Sequence, residues 1–435
     1  MIYDKIKSNK KLPFHMPGHK RNTQILGNEL PYELDITEIE GFDNLHSPCG
    51  ILLELNNRLN NLYGAEHSYA LVNGSTVGIL AAVYSIVSEG DTVLMARNCH
   101  KSVYNAVEIA KAETEYILPD YDEFGIAKGI TAEQVESKLN EKIKLVIITS
   151  PTYEGVESEV DAICNAAHKY NIPVLIDAAH GAHLFDSYHN ADIVIRSLHK
   201  TLPALTQCAA ANIYGDLVDF KQFEIKLSMF ETSSPSYVLL SSIEKCVEFI
   251  NVEKFDDYYR RLNNFYNINL NNLKFLIYDD MCKIVVFTGC TSISGYELAD
   301  MLRDNNIEPE MATEDYIIAL SSVCDGEENL NELKRVLIKI DNKLGKIDYT
   351  PNIISHLPKK EYNSFDIKDI EAFDLNDCIG KVSAEYIWAY PPGIPIIVPG
   401  EVIDKGIIEY ITSNKQTDFQ STYGLLPQKI YCKMV

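Results

Sequence analysis

Nowhere in the 435 residues do two cysteines stand in a C-x-x-C pair, and the ten that exist, from Cys49 to Cys432, fall at no metal-ligand spacing. That spacing argues against a zinc site or a dithiol motif and fits free thiols in a reduced, cytoplasmic setting. Positive charge is scarce as well: 39 Lys and Arg face 62 Asp and Glu, a net charge of -23. Such a balance speaks against nucleic acid and anionic membranes as partners. No apolar run approaches the roughly 18 residues of a membrane span. The opening "MIYDKIKSNKKLPFHMPGHK" carries basic residues with no apolar segment behind them, so no secretory leader is expected. Internal repeats and low-complexity tracts are missing too.

What is present is a length sufficient for about two or three domains and a large core. From 65 to about 215, short apolar runs alternate with amphipathic ones. "TVLMA" (92 to 96), "LVIITS" (145 to 150), "PVLIDAA" (173 to 179), "ADIVIRS" (191 to 197) and "AAANIYG" (209 to 215) have strand length and composition. "SVYNAVEIAKA" and "VDAICNAAHKY" read as helices between them. The alternation predicts an α/β fold, a mostly parallel sheet flanked by helices, with ligands at the carboxyl ends of the strands. A long helix over 236 to 250 leads to a smaller α+β unit of strand, helix, strand, helix between 281 and 344. A polar linker over 346 to 364 precedes a C-terminal extension containing "AYPPGIPIIVPGE" (389 to 401), whose prolines forbid regular helix. The expected divisions are an N-terminal arm (1 to 30), a large domain (31 to 270), a small α+β domain (271 to 345) and a C-terminal domain (346 to 435).

Four places carry chemistry. In "LVNGSTVGIL", Gly74, Ser75 and Thr76 open a helix, where backbone N–H groups and hydroxyls can converge on a phosphate; an ordinary N-cap is the plainer alternative. In "RNCHKSVYNA", His100 follows a strand and can lie against an aromatic ring or simply start a helix. In "LIDAAHGAH", Asp177 ends an apolar strand, where a buried carboxylate needs a partner such as a protonated ring nitrogen. His180 and His183 follow it, but no third ligand is placed, so no metal is expected. In "IVIRSLHKTLPALTQ", Lys200 follows another strand beside Ser197 and His199. Burial there lowers an amine's pKa and frees it to attack a carbonyl. Phosphate loop, ring-stacking residue, strand-end aspartate and strand-end lysine, in that order, is the arrangement expected for pyridoxal 5'-phosphate.

These segments, with "FHMPGHK" (14 to 20), "LDITEIEGFDNLHSPCG" (34 to 50), "SPTYEG" (150 to 155) and "YPPGIPIIVPGE" (390 to 401), resemble the ornithine/lysine/arginine decarboxylase family of fold-type I pyridoxal-phosphate enzymes, nearly end to end. Ala178 departs from the pattern, standing where many relatives have glutamate. The resemblance is to the short form without an extra N-terminal domain. It implies Lys200 as the Schiff-base lysine, Asp177 as partner of the pyridine nitrogen, and His100 stacked on the ring. Ser75, Thr76, Ser197 and His199 would hold the phosphate, with Gly74 and His180 beside the cofactor. It further implies a homodimer with the site at its interface, where Ser233 or Ser234 of "ETSSPSY" reaches the partner's phosphate.

The implied reaction is decarboxylation of arginine, lysine or ornithine to the corresponding amine, with Lys200 or His199 returning a proton to Cα. Glu401, Asp35 and Glu38 are the candidates for binding the substrate's distal cation. Two other readings stay open: an aminotransferase or lyase of the same fold, which would need an arginine for the α-carboxylate, and a non-catalytic regulatory relative.

Overall fold

A computed structural model describes the chain except residues 10, 12, 14, 15, 18, 391, 392, 415 and 435. Phe14, His15 and Gly18 of the first motif, and Pro391 and Pro392 of the last, therefore lie outside the described residues.

Seven strands form the main sheet: β1 (His67–Leu71), β2 (Thr92–Ala96), β3 (Glu113–Ile117), β4 (Ile143–Thr149), β5 (Val174–Asp177), β6 (Ile193–Arg196) and β7 (Ala209–Ile213). Their spatial order is β1-β7-β6-β5-β4-β2-β3. The run from β3 to β6 is parallel, and β7 lies antiparallel to both β6 and β1. Strands β2, β5, β6 and β7 are buried at every position, as expected where helices cover both faces. Helix Gly74–Ile86 lies directly on this sheet because Gly78 has no side chain. A Cβ there would stand 2.8 Å from Leu71 and 3.0 Å from Ile195.

The apolar runs named from sequence coincide with β2, β4, β5, β6 and β7. The edge strands β1 ("HSYAL") and β3 ("ETEYI") escape such a reading because each opens on consecutive polar residues and is only partly buried.

A second, antiparallel sheet contains β8 (Lys274–Leu276), β9 (Lys283–Phe287), β10 (Met311–Ala312) and β11 (Tyr316–Leu320), in the order β10-β11-β9-β8. Helices Gly295–Arg303 and Glu327–Asp341 accompany it. The first is opened by a capping box in which Ser294 and Glu297 exchange hydrogen bonds. Further on, β12 (Ile370–Asp374) pairs with β16 (Lys429–Lys433), and β13 (Ile387–Tyr390) lies between β14 (Ile394–Ile397) and β15 (Asp418–Ser421). Helix Ile2–Ser8 is docked rather than loose: Ile2 and Ile6 are fully buried, and Glu244 accepts from the backbone N–H of Ile2 at 2.9 Å.

Candidate active site

The carboxyl ends of β2, β4, β5 and β6 converge, and Lys200 sits among the residues that follow them. It lies in the short helix Leu198–Thr201 just after β6, and its Nζ is 2.8 Å from Nε2 of His180, which follows β5. Burial lowers the Lys200 pKa, and the negative charges of Asp177 and Glu310 act in the opposite sense. Burial and the neighbouring Lys200 and Lys283 hold His180 well below the usual imidazole range. The pair is therefore an amine whose charge burial disfavours, set beside a neutral ring.

Asp177 terminates β5 with 3% of its surface exposed, and its Oδ1 accepts from the Ala179 N–H at 3.2 Å. Burial raises its pKa and Lys200 opposes that rise. A carboxylate this buried needs a further cationic donor to remain ionised.

His100 caps helix Lys101–Ala110, with Nδ1 2.9 Å from Ser102 Oγ. Burial first, then Lys200 and Lys101, push it down to about 4, so the ring is neutral. The helix-start reading of this histidine holds, and the ring is also close enough to Lys200 to feel its charge.

The Gly74 turn is open. Gly74 has φ +79°, donates its N–H to Gln207 O at 2.9 Å, and a Cβ on it would meet nothing within 4 Å. Ser75 and Thr76 follow at the N-terminus of helix Gly74–Ile86, where no side chain caps the free N–H groups. Ser197 is fully buried, and among the described residues its Oγ has no hydrogen-bond partner. His199 turns its Nδ1 onto Cys208 O at 2.9 Å. Ser233 and Ser234 are exposed, and the preceding Thr232 N–H reaches Asn73 Oδ1 at 3.1 Å, on the same turn.

An open turn with unused helix N–H groups, an orphaned buried hydroxyl, a buried strand-end aspartate and an amine with lowered pKa form a donor set that fits pyridoxal phosphate.

One expectation is overturned. Glu401 does not present its carboxylate to a ligand: both oxygens accept from Arg97, each at 2.8 Å, and Oε2 also accepts from the Val398 N–H at 2.8 Å. The pair is buried, with Arg97 also 4.9 Å from the Tyr116 ring. It bolts the C-terminal region to the end of β2. The proline motif still reaches the site through another residue, since a Cβ on Gly393 would stand 3.7 Å from the His100 ring. Asp35 pairs with His19 at 3.0 Å, and Glu38 keeps one buried oxygen without a partner.

Residues that sequence reading missed complete the surroundings. The Tyr153 ring packs 4.4 Å from the His180 ring, and its hydroxyl donates to Glu310 Oε1 at 2.5 Å. Glu310 precedes β10 in the second sheet, far from Lys200 in sequence, so no local pattern flagged it. Beneath His180 lies a buried clasp. Asp280 accepts from His183 at 3.0 Å and from Lys283, and Lys283 donates to the His180 carbonyl at 2.9 Å. His183, Asp280 and Cys282 have the proximity of metal ligands, but the Lys283 ammonium already sits on the carboxylate.

Comparison with known proteins agrees with this geometry. Residues 4–262 match the model of the Orn/Lys/Arg decarboxylase major domain, and 348–421 that of the C-terminal domain of the same family. YaaO of Bacillus subtilis (strain 168) is 32% identical over 92% of this chain and 90% of its own length. An arginine decarboxylase of the same organism is 29% identical over 94% and 91%. The solved structure of the Escherichia coli constitutive lysine decarboxylase superposes with a TM-score of 0.82 over 100% of this chain and 81% of that one, at 18% identity. The chain belongs to the Orn/Lys/Arg decarboxylase family of basic amino acid decarboxylases.

Proposed function

We propose that the chain releases carbon dioxide from arginine, forming the corresponding amine, with pyridoxal 5'-phosphate held by Lys200, Asp177, His100, His180, Gly74, Ser75, Thr76, Ser197 and His199. The observation that carries this reading is the position of Glu310, whose carboxylate faces the buried Lys200 amine across the Tyr153 and His180 rings. A cationic side chain entering from the second sheet meets a carboxylate there, and a charge-assisted bond to it is worth about 1.5 to 3 kcal/mol. Asp35 and Glu38, near the N-terminus, remain proposed contributors.

The cofactor, when bound, supplies a sink for the electron pair left by the departing carboxylate. Asp177 would keep the proton on the ring nitrogen, and the neutral His100 would offer a flat face to the ring. Lys200, whose charge burial disfavours, would accept and return protons, with His199 as the second candidate for delivering one to Cα. The two strand-end arginines are both committed elsewhere: Arg97 to Glu401, and Arg196 to Asn212 at 2.6 Å and the Tyr63 ring at 4.3 Å. A carboxylate that is not clamped by guanidinium is free to leave, which favours decarboxylation over amino transfer. Arginine is placed first because relatives named arginine decarboxylase are 29% identical over 94% and 93% of this chain, whereas three named lysine decarboxylases are 24%, 28% and 22% identical over 53%, 54% and 79% of it. The exposed Ser233 and Ser234 support a homodimer in which they reach the partner's phosphate site.

The test is carbon dioxide and amine release by purified, cofactor-loaded protein given arginine, lysine and ornithine separately. Preferential release from arginine is expected. Preference for lysine or ornithine corrects the substrate, and no release from any of the three refutes the reaction.

A further inference from the structure

Outside the Lys200 cluster, a cavity of about 240 Å³ opens where the main sheet, the second sheet and the C-terminal region meet. None of Lys200, Asp177, His180, His100 or Glu310 lines it. Its walls are aromatic: Tyr121, Phe124, Tyr296, Tyr316, Tyr390 and Tyr410, of which Tyr390 faces the side nearest the Lys200 cluster.

Three carboxylates also line it, Glu154, Glu314 and Asp315. Glu154 accepts from the Tyr316 hydroxyl at 2.8 Å, and Asp315 from the Tyr349 hydroxyl at 3.1 Å. Among the described residues, none of the three has a cationic partner. The two cationic or protonatable groups on the described wall are already taken, Arg97 by Glu401 and His356 by Asp404. Burial and mutual repulsion raise the Glu314 carboxyl, and burial raises that of Asp315. Asn98, whose buried Oδ1 has no hydrogen-bond partner, stands on the same wall. The cavity is thus short of positive charge and rich in ring faces, the combination that attracts ammonium groups.

We propose that this cavity is a second ligand site, for an aliphatic diamine or polyamine. An apolar methylene chain packs against the rings, and ammonium groups at its ends meet the carboxylates. A free amino acid suits the site less well, because its α-carboxylate would join three like charges. The site communicates with the Lys200 cluster by short covalent steps. Glu154 is next to Tyr153, whose ring packs on His180, and Met311 on the cavity wall is next to Glu310. Binding here requires no turnover at Lys200, so it stands or falls separately from the proposed reaction.

The experiment is isothermal titration calorimetry of butylamine, putrescine and spermidine into the cofactor-loaded protein. Affinity is expected to rise along that series with the number of charges. The double variant Glu314→Gln/Asp315→Asn is expected to bind spermidine at least tenfold more weakly. Ile353→Trp, which fills the cavity from one wall, is expected to abolish binding, with the cofactor's absorbance unchanged in both. Glu310→Gln, on the catalytic side, is expected to leave it intact. Three results would overturn the proposal: no spermidine binding by the wild type at millimolar concentration, equal affinity for all three amines, or binding lost in Glu310→Gln and retained in the cavity variants. If the double variant fails to load cofactor, Ile353→Trp and Glu310→Gln still decide between the two locations.

Discussion

Replacing Glu401 by alanine should unfasten the C-terminal region without disturbing recognition of the substrate. The carboxylate is 1% exposed and takes three hydrogen bonds, two from Arg97 and one from the Val398 N–H. Its removal strands a guanidinium that is itself 5% exposed. Breaking a buried pair by deleting one partner costs about 3 to 5 kcal/mol, because the remaining charge stays desolvated. The chain supplies its own reporter: Trp388, the single tryptophan, stacks on Tyr386 with ring centroids 4.8 Å apart and meets Tyr104 edge-on at 5.8 Å. Urea unfolding followed by tryptophan fluorescence should therefore show its first transition at a concentration lower by about 1 to 5 M, for a slope of about 1 to 3 kcal/mol per M. The double variant Arg97→Leu/Glu401→Leu should recover a large part of the loss, since no charge is left unpaired. If Glu401→Ala kept the wild-type midpoint but raised the KM for arginine by tenfold or more, the carboxylate would be a substrate ligand and the structural assignment would be wrong.

Lys200→Ala should abolish the absorbance band of covalently attached cofactor, and a surviving band would move the attachment to another residue. Glu310→Gln should raise KM for the basic substrate by about 10- to 150-fold, the equivalent of 1.5 to 3 kcal/mol, while cofactor affinity stays unchanged; an equal loss of both would mark Glu310 as structural. The buried Glu231 carboxyl, which accepts from the Val72 N–H at 2.7 Å, is pushed up to about 7 by desolvation. A raised carboxyl pKa means that the folded chain holds a proton which the unfolded chain has lost between the ordinary value of 4.5 and about 7, so stability falls as pH rises through that window. Glu231→Gln removes the penalty, and its stability relative to the wild type should grow by up to about 3 kcal/mol from pH 5 to pH 8; a difference independent of pH would refute the assignment.

Much of this site was legible because its residues follow apolar runs that only a covered parallel sheet explains. Asp177 and Lys200 each stand at the end of such a run, and the fold brings them into electrostatic contact. His180 was visible as a cofactor neighbour, but its hydrogen bond to Lys200 depends on how the β5 loop returns over β6. Glu401 was misjudged because a carboxylate after a rigid proline path looks the same in sequence whether it faces a ligand or an arginine 304 positions away. Glu310 was invisible for the opposite reason. It is an exposed glutamate in a sheet remote from Lys200, and only tertiary packing gives it a role. The clasp of His183, Asp280 and Lys283 likewise joins segments about a hundred positions apart, with a lysine that becomes fully buried only on docking.

That clasp also sets the cost of parting the second sheet from the β5 loop. Opening that seam would break the His183–Asp280 and Lys283–His180 carbonyl hydrogen bonds, two bonds to charged groups worth about 1.5 to 3 kcal/mol each, and would leave Lys283 paired with Asp280 on the second sheet. At 4 kcal/mol the parted form would amount to roughly one molecule in a thousand. The second sheet thus behaves as a fixed wall on that side, and traffic is left to the rim where Glu310 and Tyr390 are exposed to solvent. The doorway of this molecule is a matter of side chains turning at that rim, and the frame around it does not swing.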